Sequence, residues 1–153
     1  MSKLSQVEIS VGRKLKRLYL ATKDGNNPDN YNQIYSEIFR DQQYGPGLKH
    51  IKKIKNPIVI DMGANVGFSV TYFAQHKCKI YAIEPDPDYF PLLKENTKEY
   101  NVEYFNEAIG MINIDGRGLQ GMSLFFDKRD DSLQTVKCIT IEKFFEDNKI
   151  KHV

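Results

Sequence analysis

The chain has 153 residues, a net charge of +2 and a 41% share of apolar residues, which predicts one globular domain with its own core. The near-neutral charge gives no indication of a nucleic acid or a membrane surface as a partner, and no apolar run is long enough to span a bilayer. The two cysteines and three histidines lack the spacing of a metal site. We therefore expect a cytoplasmic protein with reduced thiols and no metal. The lysines of residues 49–55 are interpreted as the solvated face of a helix.

The first third of the chain is predicted to be helical. Apolar residues recur at helical spacing in residues 3–20, which predicts an amphipathic helix there. A second helical stripe covers residues 31–39, and the Tyr-Gly-Pro-Gly sequence at 44–47 breaks it. We interpret residues 1–56 as a helical N-terminal preface to a main domain at residues 57–153.

The main domain is predicted to begin with alternating strands and helices. An apolar run at residues 57–61 ends in an acid, and a glycine-punctuated turn at 63–67 leads into a helix. A second apolar run at 79–84 again ends in an acid, and Asp88 is the expected cap of the next helix. A third strand is predicted at 102–106. This order implies right-handed crossovers, so the predicted fold class is α/β, with a Rossmann-like parallel sheet.

The last part of the chain has a weaker pattern. Two short extended pieces at residues 111–115 and 121–126 indicate a hairpin or an irregular flap. Residues 136–141 are predicted as a strand and 142–148 as a short helix. Three parallel strands form only half of a doubly wound sheet, so the first strand is expected to lie at an exposed edge. A second copy of the chain, or a partner chain, is a candidate to cover that edge.

The turn between the first strand and its helix carries the features of a ligand site. Gly63 and Gly67 let the backbone turn sharply and approach a ligand, and Asn65 tolerates unusual backbone angles. Asp61 ends the first strand, where it can bind a ligand amine or organise the turn. Glu84 ends the second strand about twenty residues beyond the turn, where a carboxylate binds a ribose diol. Glycine packing and helix capping are the structural alternatives, but the combined spacing favours a nucleoside-type ligand.

Ala64 distinguishes between nucleoside ligands. It stands where a dinucleotide-binding turn has its second glycine, which makes room for a pyrophosphate. S-adenosyl-L-methionine (SAM) has no pyrophosphate and fits this turn better. A nicotinamide-dependent oxidoreductase fragment is therefore the weaker alternative. The turn also lacks the Gly-Lys-Ser/Thr sequence of phosphate-binding ATPases.

Several segments of the sequence resemble one known family. Residues 59–67 and 83–87 together resemble the FkbM-type class I SAM-dependent methyltransferases. Further segments are similar to other parts of that family, namely residues 106–110, residues 140–145 and, more weakly, residues 37–39 with Tyr44. The resemblance runs from about residue 31 to the end of the chain.

This resemblance implies methyl transfer from SAM, usually to an oxygen of a small-molecule or sugar-type acceptor. It implies that the backbone of residues 63–67 holds the methionine part, that Glu84 binds the ribose and that residues 106–108 lie beside the adenine. The cofactor-binding residues expected on this basis are Asp61, Gly63, Ala64, Asn65, Gly67, Glu84, Pro85, Asn106, Glu107 and Ala108.

The resemblance also shows what this chain lacks. Family members continue into further strands that build the acceptor side, and the sequence contains no counterpart of them. No catalytic base and no acceptor pocket can therefore be nominated. A truncated gene, or a partner chain that supplies the second half, is one interpretation. The alternative from another functional class is a non-catalytic half-fold that acts in binding or assembly.

Overall fold

The computed structural model describes residues 3–22, 28–110, 123–124, 134–135 and 137–151. The chain begins with an antiparallel hairpin of two strands, β1 (Lys3–Val11) and β2 (Lys14–Thr22). The helix predicted over residues 3–20 is therefore wrong. The same segment also alternates apolar and polar residues with the period of a strand, and Gly12 takes a φ of +62° in the turn. Leu15, which the helical stripe would bury, is 72% exposed.

Two helices follow the hairpin, as the sequence predicts. Helix α1 (Pro28–Tyr35) continues directly into a π-helical turn (Ser36–Arg40), so that both cover the predicted stripe at 31–39. Helix α2 (Gly45–Ile51) then leads to the first strand of the central sheet.

The centre of the molecule is a three-stranded parallel sheet in the order β3-β4-β5. Its strands are β3 (Ile58–Met62), β4 (Lys79–Ile83) and β5 (Val102–Phe105). Helices α3 (Phe68–Ala74) and α4 (Phe90–Thr97) form the connections between them. The predicted α/β class with a Rossmann-like parallel sheet is confirmed. Helix α4 is capped by Tyr89, one residue later than the predicted Asp88.

The strands differ in their surroundings. β4 is the middle strand, and four of its five residues are buried. β3 lies at an edge, since among the strands that the structure describes only β4 pairs with it. Met62, at the end of β3, is 58% exposed.

The C-terminal part contains short elements. Strand β6 (Ala108–Ile109) pairs in parallel with β9 (Cys138–Ile139), and β7 (Ser123–Leu124) pairs antiparallel with β8 (Gln134–Thr135). Helix α5 (Ile141–Asp147) begins one residue before its predicted start. The extended piece predicted at 111–115 lies outside the described residues, and 121–126 is described only at Ser123 and Leu124.

Three hydrophobic clusters cover the sheet and its helices. One lies between the sheet and helices α3 and α4, and a second packs Phe144 and Ile150 against the opposite face of the sheet. The third joins the hairpin to α1, the π-helical turn and the start of α3. Residues from the described part of 1–56 thus share a core with Val66 and α3, and the division into segments 1–56 and 57–153 stays a prediction.

Candidate functional site

The turn at residues 63–67, called here the site loop, lies between β3 and α3. The backbone N–H groups of Gly63 and Ala64 donate to the carbonyl of Ile83 at 2.9 and 3.0 Å, which holds the site loop against the end of β4. The φ angles of Gly63, Asn65 and Gly67 are +88°, +48° and +94°. Two of these left-handed positions are glycine and the third is asparagine, the residues that adopt this conformation most readily.

The two sides of the site loop have different surroundings. A Cβ atom placed on Gly63 would meet nothing within 4 Å. A Cβ on Gly67 would lie 2.7 Å from Cγ2 of Thr97 and 3.1 Å from Cδ1 of Leu93. We call the side at Gly63 the front face and the side at Gly67, which packs on α4, the back face. Ala64 is buried with the core residues, so its methyl group does not line the front face.

Glu84 connects the site loop to the segment that follows β4. Its side chain is 5% exposed, Oε2 accepts a hydrogen bond from Asn65 N at 2.7 Å, and Oε1 accepts one from Asp86 N at 2.8 Å. Burial raises the pKa of Glu84, and the two N–H donors act against that rise. Each carboxylate oxygen has a second lone pair. Glu84 therefore has a structural role in the site loop and keeps acceptor capacity for a ribose diol.

Asp61 lies at the end of β3, beside the site loop. Its Oδ2 accepts a 2.5 Å hydrogen bond from Ser69 Oγ, and burial raises the pKa of Asp61 while the Ser69 hydroxyl acts against that rise. Burial, followed by the negative charges of Asp61 and Glu37, raises the pKa of the Tyr44 phenol. Tyr44, from a segment with a weak family resemblance, thus lies within electrostatic range of Asp61.

The segment after β5 lies at the same carboxyl end of the sheet as Glu84. Asn106 Nδ2 donates to the carbonyls of Glu84 and Pro85 at 2.8 and 3.2 Å, which places Asn106 against the backbone that follows β4. Glu107 forms an ion pair with Lys137, and Ala108 is buried in β6. Of this predicted trio, Asn106 contacts the other site residues directly, whereas the Glu107 carboxylate is already engaged.

Two site residues were not identified from the sequence. Ser69 bonds to Asp61, and Asn96 Nδ2 donates to the carbonyl of Val66 in the site loop at 2.8 Å. Asn96 lies on the apolar stripe of α4, and a polar residue at such a position is the signal that could have identified it. Ser69 carries no comparable signal in the sequence.

The described residues contain neither a metal site nor a membrane-spanning helix. No group of three or more His, Cys, Asp and Glu side chains among them could hold a metal ion. None of the helices in this part of the chain is both long and apolar enough to cross a membrane.

The fold is that of a Rossmann-like α/β protein, and its candidate site lies at the carboxyl ends of β3 and β4. The model of the methyltransferase FkbM domain matches residues 61–153, which is more than half of the chain. The chain therefore belongs to the FkbM methyltransferase domain family. This match confirms the predicted family and, with it, S-adenosyl-L-methionine as the cofactor.

The chain is also similar to parts of larger solved structures. A SAM-dependent methyltransferase from Agrobacterium tumefaciens has a TM-score of 0.46 and 10% identity, over 67% of this chain and 32% of that one. The 16S rRNA N2 G1207 methyltransferase RsmC of T. thermophilus, in complex with AdoMet and guanosine, has a TM-score of 0.43 and 10% identity, over 67% and 27% of the two chains. aTrm5 in complex with tRNALeu has a TM-score of 0.43 and 22% identity, over 93% and 35%. The chain spans about a third of the length of these proteins. A comparison with curated protein sequences gave no match.

Proposed function

We propose that this chain binds SAM on the front face of the site loop and serves in methyl transfer to an oxygen of a small-molecule or sugar-type acceptor. The observation that carries the proposal is the open space at Gly63, in a loop that follows Asp61 and is held by Glu84 through Asn65 N, within the part of the chain that matches the family. SAM, when bound, supplies a methyl group on a sulfonium. The protein then contributes mainly the positioning of the acceptor against that methyl.

Each site residue has a role in this proposal. The backbone of Gly63, Ala64 and Asn65 shapes the front face, Gly67 lets the site loop pack closely on α4 behind it, and Asp61 accepts a hydrogen bond from the amine of the methionine part. Glu84 accepts from the ribose hydroxyls through its remaining lone pairs, while its backbone contacts keep the site loop in place. Further residues border the adenine, namely Pro85, Asn106, Glu107 and Ala108.

The setting of the reaction is part of the same proposal. Cys78 and Cys138 are free thiols, which supports the predicted cytoplasmic location. No catalytic base is assigned.

The alternative, a non-catalytic half-fold that acts in binding or assembly, is supported by the edge strand β3, whose exposed Met62 offers a surface for a second copy or a partner chain.

Calorimetric titration of SAM into the chain tests the cofactor site. We expect binding to one site, and loss of at least about tenfold in affinity for Glu84→Ala, because the ribose acceptor and the support of Asn65 are both removed. Glu95→Ala, which removes an exposed carboxylate of α4, is the matched control and should bind as the unchanged chain does. Because Glu84 is buried, Glu84→Gln provides a variant of the same shape if Glu84→Ala does not fold. A folded chain that does not bind SAM contradicts the proposal.

A transfer assay with methyl-labelled SAM tests the acceptor. We expect label in sugar-type hydroxyl compounds and none in RNA. SAM binding without transfer to any acceptor favours the half-fold alternative, and label in RNA contradicts the small-molecule assignment.

A further inference from the structure

Asn96 in α4 connects three segments that are distant in the sequence. Its side-chain Nδ2 donates to the carbonyl of Val66 at 2.8 Å and to the carbonyl of Tyr19 at 2.9 Å. Its Oδ1 accepts from Tyr19 N at 2.7 Å. The residue is 3% exposed, so both amide hydrogens and one oxygen lone pair are used within the protein.

The contacts at Tyr19 attach the hairpin to α4. An asparagine amide that bonds to both the N–H and the carbonyl of one residue replaces the contacts that a neighbouring strand would make. Lys16 adds a second connection from β2, since its Nζ lies 2.7 Å from a carboxylate oxygen of Glu99 and 4.1 Å from the centre of the Tyr100 ring. The hairpin is thus held on the helix that closes the back face of the site loop.

The apolar side of the hairpin reaches the site loop itself. Ile9, Leu18 and Leu20 share one buried cluster with Val66 and Phe68, and Val66 has no exposed surface. Val66 lies between Asn65 and Gly67 in the site loop. Its side chain packs with the hairpin, and its carbonyl accepts a hydrogen bond from Asn96. The hairpin lies outside the family match at 61–153, and this contact is therefore a feature of this chain rather than part of that match.

We infer that Asn96 is a positioning residue that couples the N-terminal hairpin to the site loop, so that docking of the hairpin favours SAM binding and bound SAM stabilises the docked hairpin. The part of this inference that concerns SAM binding rests on the proposed function. The physical reason is that Asn96 fixes the Val66 carbonyl and the Tyr19 backbone with one rigid amide. A change that releases one of them also releases the other, and energetic coupling between two sites is reciprocal.

Asn96→Asp, compared with Asn101→Asp, tests the inference. The first substitution keeps the shape of the side chain but replaces the donor Nδ2 with an oxygen that faces two carbonyl oxygens. The second changes an exposed asparagine shortly after α4 and is the matched control. The readouts are hydrogen exchange at Tyr19 N–H and Gly67 N–H, each with and without SAM, and the affinity for SAM.

In Asn96→Asp we expect faster exchange at both amides and at least about tenfold weaker SAM binding. We also expect SAM to slow the exchange of Tyr19 N–H in the unchanged chain and in Asn101→Asp, but not in Asn96→Asp. If Asn96 had only a structural role, its substitution would not abolish the slowing of Tyr19 N–H exchange by SAM. A folded Asn96→Asp with unchanged exchange at Gly67, or with unchanged SAM affinity, overturns the inference.

Two further outcomes keep the inference separate from the proposed function. If Asn96→Asp does not fold, Lys16→Met takes its place, because loss of the contacts of Lys16 weakens the same attachment of the hairpin. This variant should raise the exchange rates of the Tyr19 and Gly67 amides together. A rise at Tyr19 alone overturns the coupling. If the unchanged chain does not bind SAM, the proposed function fails. The exchange of Gly67 in Asn96→Asp then still decides whether the hairpin and the site loop are coupled.

Discussion

The front and back faces of the site loop are only four residues apart, yet their glycines serve different purposes. At Gly63 the position of a missing Cβ is surrounded by open space, whereas at Gly67 it is occupied by the side chains of Thr97 and Leu93. Both residues have positive φ angles, so both need glycine for the backbone, but only Gly67 also needs it for packing. One loop therefore presents a ligand surface on one side and a close-packed surface on the other.

The difference between the two faces shows how a ligand loop keeps its shape without a ligand. The back face is fixed by α4 and, through Asn96 and Val66, by the hairpin. The front face is shaped by hydrogen bonds to the end of β4, from Gly63 and Ala64 to Ile83 and from Asn65 to Glu84. Rigid packing behind the loop allows backbone N–H groups and carboxylates to be preorganised in front of it.

The largest effect is expected from Gly67→Ala. The new methyl group would lie closer than van der Waals contact distance to Cγ2 of Thr97 and Cδ1 of Leu93, and alanine would have to adopt a left-handed φ. Together these should lower the free energy of unfolding by about 2–5 kcal/mol, as measured by urea denaturation. The double variant with Thr97→Ser removes the closest methyl and keeps the hydroxyl, so part of the loss should be recovered. Additive losses in the double variant would contradict the packing explanation.

Gly63→Ala should have a smaller effect on stability and a specific effect on binding. Its backbone strain costs about 1–2 kcal/mol, because φ is +88° but no atom lies in the way of the methyl group. The methyl group would occupy the space assigned to SAM, so the affinity measured by calorimetry should fall by at least about tenfold. An unchanged affinity in the folded variant would show that the front face is not the ligand surface.

The smallest effect is expected from a fall in pH, which removes the charge of Glu99 in the ion pair that Lys16 of the hairpin forms with it. The hydrogen bond from Lys16 lowers the pKa of Glu99 below its usual 4.5. A carboxyl whose pKa is lower in the folded state stabilises the fold above its unfolded pKa, and this contribution disappears as the pH falls through the folded pKa.

Glu99→Gln isolates this contribution from the other carboxyls. Because the Glu99 side chain is 57% exposed, solvent screens the ion pair and the difference should stay below about 1 kcal/mol. Urea unfolding should show the unchanged chain as slightly more stable than Glu99→Gln near about pH 6, with no difference near about pH 3. A difference that persists in acid would contradict the assignment to this ion pair.

Local chemistry explains why the site loop was predictable and the hairpin was not. The glycines of the site loop and the acids that end β3 and β4 carry their signals within a few residues of sequence. In the hairpin, the helical and strand periodicities overlap. The contacts that decide between them come from Val66, Phe68 and Asn96, which are distant in sequence. The two backbone contacts of Glu84 also depend on how the site loop folds back, and spacing alone does not determine that.

Amide chemical shifts during a titration with SAM test the central claim most directly, because each backbone N–H of the site loop reports on its own surroundings. The account predicts saturable shifts at Gly63, Asn65 and Asn106, while the amides of Lys79 and Val102, at the opposite, N-terminal ends of β4 and β5, stay unchanged. The Gly63→Ala variant should lose these shifts at the same SAM concentration. A folded chain whose site-loop amides do not shift with SAM, or shift no more than those of Lys79 and Val102, would contradict the assignment of the front face as the cofactor surface.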